Sequence, residues 1–148
     1  MSKTIEANHA MGAFNPRLSQ LSVVVGAVAA ALMLWAVAEP LLGINLRAPA
    51  SGDAPNSDIG PVMVTIASLV PALLGWGLLV LLQRFTAHAR TAWTVVGCVV
   101  LAISLFGPLS GEGISSANRV VLLFMHLLVG AVVIFGLRRT SQDRALAS

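Results

Sequence analysis

Residues 62–82, VMVTIASLVPALLGWGLLVLL, run without one charged side chain. A helix rises about 1.5 Å per residue, so about twenty apolar residues reach across the hydrocarbon core of a bilayer. Three more runs share this character: Leu21–Leu42, Ala92–Phe106 and Val120–Leu137. Ala92–Phe106 is the shortest and needs its flanking residues to span. Within the four runs Glu39 alone carries a formal charge at neutral pH. The expected fold is all-α: a four-transmembrane-helix antiparallel bundle, an integral multi-pass protein of the cell membrane. The bundle takes residues 18–139, between an N-terminal segment, 1–17, and a tail, 140–148.

Composition agrees. The chain of 148 residues is 57% hydrophobic and 10% charged, where a soluble domain carries about 25% charged residues. Its mean hydropathy is +0.87. Nine Lys and Arg against six acids make it basic, but the basic residues stand at helix ends, where they set topology, so no nucleic-acid partner is expected. The single cysteine, Cys98, lies mid-span in the third run and reads as a small buried hydrophobe. It forms no CxxC pair, and the chain offers no ligand set for haem, an iron–sulfur cluster or zinc, so neither cofactor nor metal is expected. Met125-His126 has no second His or Cys at its depth. GxGxxG, Walker, HExxH and GxSxG motifs are absent.

Orientation follows from Lys and Arg in short loops. Lys3, Arg17, Arg84, Arg90, Arg138, Arg139 and Arg144 fall on one side, and Arg47 and Arg119 on the other. Both termini are therefore expected in the cytoplasm. Ala36-Val37-Ala38 fits a signal-peptidase pattern, but a cut at residue 38 lies beyond the usual h-region distance, so the first run is read as a retained span. The outer loops carry Asp53, Asp58 and Glu112. The first of them, Gly43–Gly60, is dense in Gly, Pro, Asp, Asn and Ser and is expected to be irregular, as is GPLSGEGISSANR after the third span. The Gln83–Thr91 connection is short and predicts a tight helical hairpin. Residues 1–16 and 140–148 are polar and expected to be poorly ordered.

A bilayer gives helices no hydrophobic reason to associate, so small and polar residues mark contact faces. On the second span Pro61, Thr65, Ser68, Ala72 and Gly75 share one face, with Leu78 assigned to the lipid side. Pro71 sits mid-span as a candidate kink. Ser22, Gly26 and Ala30 mark the first span, Trp93, Gly97 and Ser104 the third, and His126 and Gly130, with Arg119 two turns above, the fourth.

Counting from the outer helix ends places Glu39, Thr65 and Ser104 about one turn deep. Ser68 and His126 lie about two turns deep, roughly 9–10 Å. Each helix thus contributes a polar group at one level. An ionisable residue inside a span is a default functional candidate. Glu39 fits a proton carrier, a cation ligand or a general base, or else an interfacial carboxylate paired with Arg119. His126 fits either an acid/base partner of Glu39 or a neutral histidine tying helices together. Glu39 shares its face with Trp35 and Leu32, so a pocket joining it to His126 requires Pro40 to turn it inward. Trp35, Trp76 and Trp93 read as packing or interface anchors.

Four segments carry a resemblance: WAVAEPLLGINL from Trp35, GWGLLVLLQRFTAHARTAWT from Gly75, SLFGPLS from Ser104 and MHLLVGAVVIFGLRR from Met125. Over residues 18–139 the chain resembles a family of uncharacterised actinobacterial four-helix integral membrane proteins. The resemblance implies fold and topology and no reaction. The functional expectation is a small-ligand-binding or accessory subunit, with a polar pocket in the outer third of the bilayer built from Glu39, Thr65, Ser68, Ser104, Arg119 and His126. The alternative is an intramembrane enzyme, an isomerase or cyclase, using Glu39 and His126 as acid and base on a lipophilic substrate. Expected partners are membrane lipids, a lipophilic small molecule, and a second copy or another membrane protein.

Overall fold

The computed structural model describes residues 16–50 and 55–146, with side chains from Arg17 to Thr140 outside the 51–54 gap. Lys3, Asp53 and the expected disorder of the N-terminal segment lie outside the described residues. The elements are α1 (Pro16–Ala36), which continues into a π-helical turn at Val37–Leu41, β1 (Arg47–Ala48), β2 (Ser57–Asp58), α2 (Pro61–Phe85), α3 (Ala89–Ser104), a short α4 (Phe106–Ser110) and α5 (Ser116–Leu146). Four helical stretches are long and apolar enough to cross a membrane: Arg17–Leu41, Pro61–Phe85, Ala89–Ser110 and Ser116–Thr140. The short third run reaches this length because α4 extends α3.

Helix ends follow local chemistry. Pro61 opens α2 in its first turn, where a missing N–H leaves no bond unmade. The Ser115 hydroxyl accepts from the Asn118 N–H at 3.1 Å, an N-cap for α5. Pro40 has no N–H for the Ala36 carbonyl, and its ring crowds that carbonyl. The turn widens instead: the Leu42 N–H reaches Val37 O at 3.1 Å, five residues back. The connection between α2 and α3 is tighter than Gln83–Thr91, since only residues 86–88 lie outside the helices. The Thr86 hydroxyl receives the His88 N–H there. The expected poorly ordered tail is in fact helical through Leu146, consistent with its Gln, Arg, Ala and Leu, all good helix formers.

α1 packs on α2 and α5, and α3 packs on α2 and α5. One core cluster joins Val24 and Ala27 of α1 to Ala72 and Leu79 of α2, Trp93 of α3, and Val133 and Leu137 of α5. A second joins Ala31 and Ala38 to Val64, Leu122 and the loop residues Leu46 and Ile59. The Ser68–Ala72 face of α2 is buried as expected, lengthened by Val64 and Leu79. Three assignments change. The buried stripe of α1 is Gln20, Val24, Ala27 and Ala31, not Ser22–Gly26–Ala30, and a Cβ on Gly26 would meet nothing within 4 Å. The contact face is set by where α2 and α5 lie, and small-residue spacing does not report that. Leu78 packs against the first core cluster instead of facing outward. Cys98 is exposed.

The loops expected to be irregular fold onto one another. β1 and β2 pair antiparallel, Arg47 with Asp58 and Ala48 with Ser57. Ala50 bridges to Glu112 across the two loops, and the Asn56 amide donates to the carbonyls of Ala48, at 3.3 Å, and Glu112, at 3.2 Å. Leu46, 1% exposed, and Ile59 anchor this cap in the second cluster. The Asn118 amide donates to Arg47 O at 2.9 Å and fastens it to α5.

Candidate functional site

Between α2, α3 and α5 lies a cavity of about 660 Å³. Its floor is set by Trp93, whose indole is 3% exposed and donates to the Ile134 carbonyl at 3.4 Å. The ring has room because Gly75 faces it: a Cβ there would stand 2.8 Å from the ring. Gly97 and Gly130 do the same between α3 and α5, where a Cβ would come 2.9 Å from Ile134 and 2.6 Å from Leu101. The roof is the loop cap, through Ala48, Pro49 and Ile59, with Gly107 and Pro108 of α4. Met63 and Leu74 of α2 and Val96 and Val100 of α3 line the cavity yet remain exposed. The cavity therefore opens sideways between α2 and α3, through a face made of apolar side chains.

Ser68, Ser104 and His126 bring polar atoms to this lining. The Ser68 hydroxyl donates within α2, 2.7 Å from Val64 O and 3.2 Å from Thr65 O. The Ser104 hydroxyl donates to Leu101 O at 2.7 Å. His126 Nδ1 stands 2.7 Å from Leu122 O. A carbonyl has no proton to give, so the proton of that contact sits on Nδ1, and in the neutral ring Nε2 is left as an acceptor. Pro71 and Ala67 also belong to the lining. Pro71 lies inside α2 and has no N–H, so the Ala67 carbonyl lacks its helical partner.

Of the six expected site residues, the cavity gathers Ser68, Ser104 and His126; Glu39, Thr65 and Arg119 are not in its lining. The Thr65 hydroxyl is bound to Pro61 O at 2.8 Å. The Arg119 guanidinium donates to Gly111 O at 2.9 Å, with its Nε enclosed and unpartnered. One Glu39 carboxylate oxygen is likewise enclosed without a hydrogen-bond partner. Glu39 and Arg119 form no ion pair, whereas Arg47 and Asp58 form one at 2.9 Å, exposed in the loop cap. α1 contributes Ala31 alone to the lining, and Glu39, in the π-helical turn that follows α1, does not belong to it. No group of three or more His, Cys, Asp or Glu side chains is placed to hold a metal among the described residues.

Pro71, marked in the sequence as a candidate kink, also frees the Ala67 carbonyl. A buried polar contact lies outside the cavity lining, between α1 and α2. The Gln20 side chain, 1% exposed, accepts the Trp76 indole N–H at 2.8 Å. Gln20 lies just before the first apolar run, one turn before Val24 on the buried stripe.

No curated protein and no solved structure matches this chain. Residues 13–143 match a family of unknown function (DUF6069). That span takes in all four long apolar helices, the loop cap and the cavity, and the chain belongs to that family.

Proposed function

We propose that this chain is a multi-pass cell-membrane protein, an antiparallel four-helix bundle with both termini cytoplasmic, whose α2–α3–α5 cavity binds a lipophilic small molecule. The observation that carries the reading is the cavity: about 660 Å³, lined by apolar side chains apart from Ser68, Ser104 and His126, and open sideways. That volume lies within the range of small-molecule sites. The space is open on its apolar side, so in a bilayer a lipophile can enter it directly from the hydrocarbon layer. An occupant drawn from the bilayer is the economical account. The orientation is supported by Arg84, Arg90, Arg138 and Arg139, which are exposed at the α2–α3 connection and near the end of α5. Membrane lipids are the surrounding partners. The enzyme reading paired Glu39 with His126; with Glu39 outside the lining, binding is the better-supported function.

Native mass spectrometry of the protein released from lipid nanodiscs tests the reading. The wild-type protein is expected to retain a bound lipophile, and Ala67→Phe, which projects an exposed-side ring into the lining, to lose it. Retention by both proteins alike, or by neither, would overturn the cavity as a binding site.

A further inference from the structure

We propose that the occupant is a neutral lipophile whose polar end donates a hydrogen bond: an alcohol or a phenol. The inference rests on the cavity reading and deepens it. Its ground is the donor and acceptor inventory of the lining. The side-chain donors are committed to backbone carbonyls: Ser68 to Val64, Ser104 to Leu101, His126 Nδ1 to Leu122 and Trp93 Nε1 to Ile134. What stays open accepts. His126 Nε2 has a lone pair, and the two serine oxygens keep theirs. A head group that only accepts, such as an ether, ester or quinone, would face acceptors and leave its own oxygen unpaired in apolar surroundings. The lining also contains no Lys, Arg, Asp or Glu. An anionic head, carboxylate or phosphate, would meet no cation, and a desolvated charge without a counter-charge is strongly disfavoured. A hydroxyl donor is the group that this arrangement pairs.

The test uses the full chain in lipid nanodiscs, with Cys98→Ser removing the native thiol and Met125→Cys placing one in the lining. Its alkylation by a membrane-dissolved maleimide is followed with two matched probe pairs: hexadecan-1-ol against hexadecyl methyl ether, and 4-nonylphenol against 4-nonylanisole. Hexadecanoate is the charged control. At least one hydroxyl probe is expected to protect the thiol at about tenfold lower membrane mole fraction than its ether, the value of one well-made hydrogen bond. Hexadecanoate should protect no better than the ether. His126→Phe, which keeps the ring volume and removes Nε2, should shrink the hydroxyl-to-ether difference while the apolar chain still protects. Equal protection by hydroxyl and ether, or better protection by the ether or the acid, overturns the donor-head inference and leaves the cavity reading standing. Protection by none of the probes overturns the cavity reading itself. The Cys98→Ser, Met125→Cys protein with His126 intact decides both points even if His126→Phe does not fold.

Discussion

Gln20 and Trp76 meet across α1 and α2 through a single hydrogen bond, the indole N–H donating to Oε1 at 2.8 Å, with Gln20 1% exposed. The bond ties the first helix to the second at the end of the molecule away from the loop cap. Breaking it from one side leaves a buried group without a partner. Gln20→Leu and Trp76→Phe should each lower the unfolding midpoint in detergent, and the double variant should lose less than the sum of the two. Interhelical hydrogen bonds in membranes couple by about 0.6 kcal/mol on average and at most about 1.7, so the cycle should fall in that interval. Strict additivity would show that the two side chains do not communicate.

Gly75 and Gly77 stand two residues apart on α2 and should respond oppositely to alanine. At Gly75 the added Cβ meets the Trp93 ring at 2.8 Å, and that ring is buried and held by its bond to Ile134. Overpacking of this kind costs about 1–3 kcal/mol. At Gly77 nothing lies within 4 Å, so alanine should be neutral or favourable by up to about 1 kcal/mol through helix propensity. Equal melting points for the two variants would mean that α2 does not approach α3 through Gly75.

The two left-handed glycines of the loop cap differ in their surroundings. Gly43 has φ +67° and open space around it; Gly113 has φ +74°, and a Cβ there would come 2.6 Å from Asn56 Oδ1. Asparagine is among the residues that tolerate this backbone region. Gly43→Asn should therefore be mild. Gly113→Asn should push Asn56 off the Ala48 and Glu112 carbonyls and make the loops more sensitive to limited proteolysis. The same sensitivity in both variants would separate the effect from Asn56.

The sideways opening between α2 and α3 predicts a rate effect. Leu74→Trp combined with Val100→Trp narrows the opening from both helices, whereas Ile66→Trp adds the same bulk at an exposed α2 position outside the lining. Alkylation of Met125→Cys by a membrane-dissolved maleimide should slow several-fold in the first case and stay unchanged in the second. If Ile66→Trp slows it as much, access does not run between these helices.

Orientation is checked in intact cells with Cys98→Ser proteins carrying Glu112→Cys in the loop cap or Ala87→Cys at the α2–α3 connection, both exposed positions. A membrane-impermeant maleimide should label Glu112→Cys at once and Ala87→Cys only after lysis. The reverse pattern would invert the proposed topology.

The amino-acid sequence alone determined the number of long helices and nearly their limits, because long uncharged apolar runs leave the backbone one economical way to satisfy its own hydrogen bonds. It also marked Ser68, Ala72 and Gly75 as one packed face, since spacing along a single helix is a local property. It did not determine which face of α1 is covered, because the Gln20–Ala31 stripe is buried by α2 and α5, and their position is a matter of packing between helices. The loop cap was hidden for the same reason: its bonds run from Asn56 to Glu112 and from Asn118 to Arg47, between residues far apart in the chain. The polar level read from depth put Glu39 and His126 at one height, yet depth is one coordinate of three. Tertiary packing leaves Ala31 as the contribution of α1 to the cavity lining, which takes in Ser68, Ser104 and His126 and does not take in Glu39.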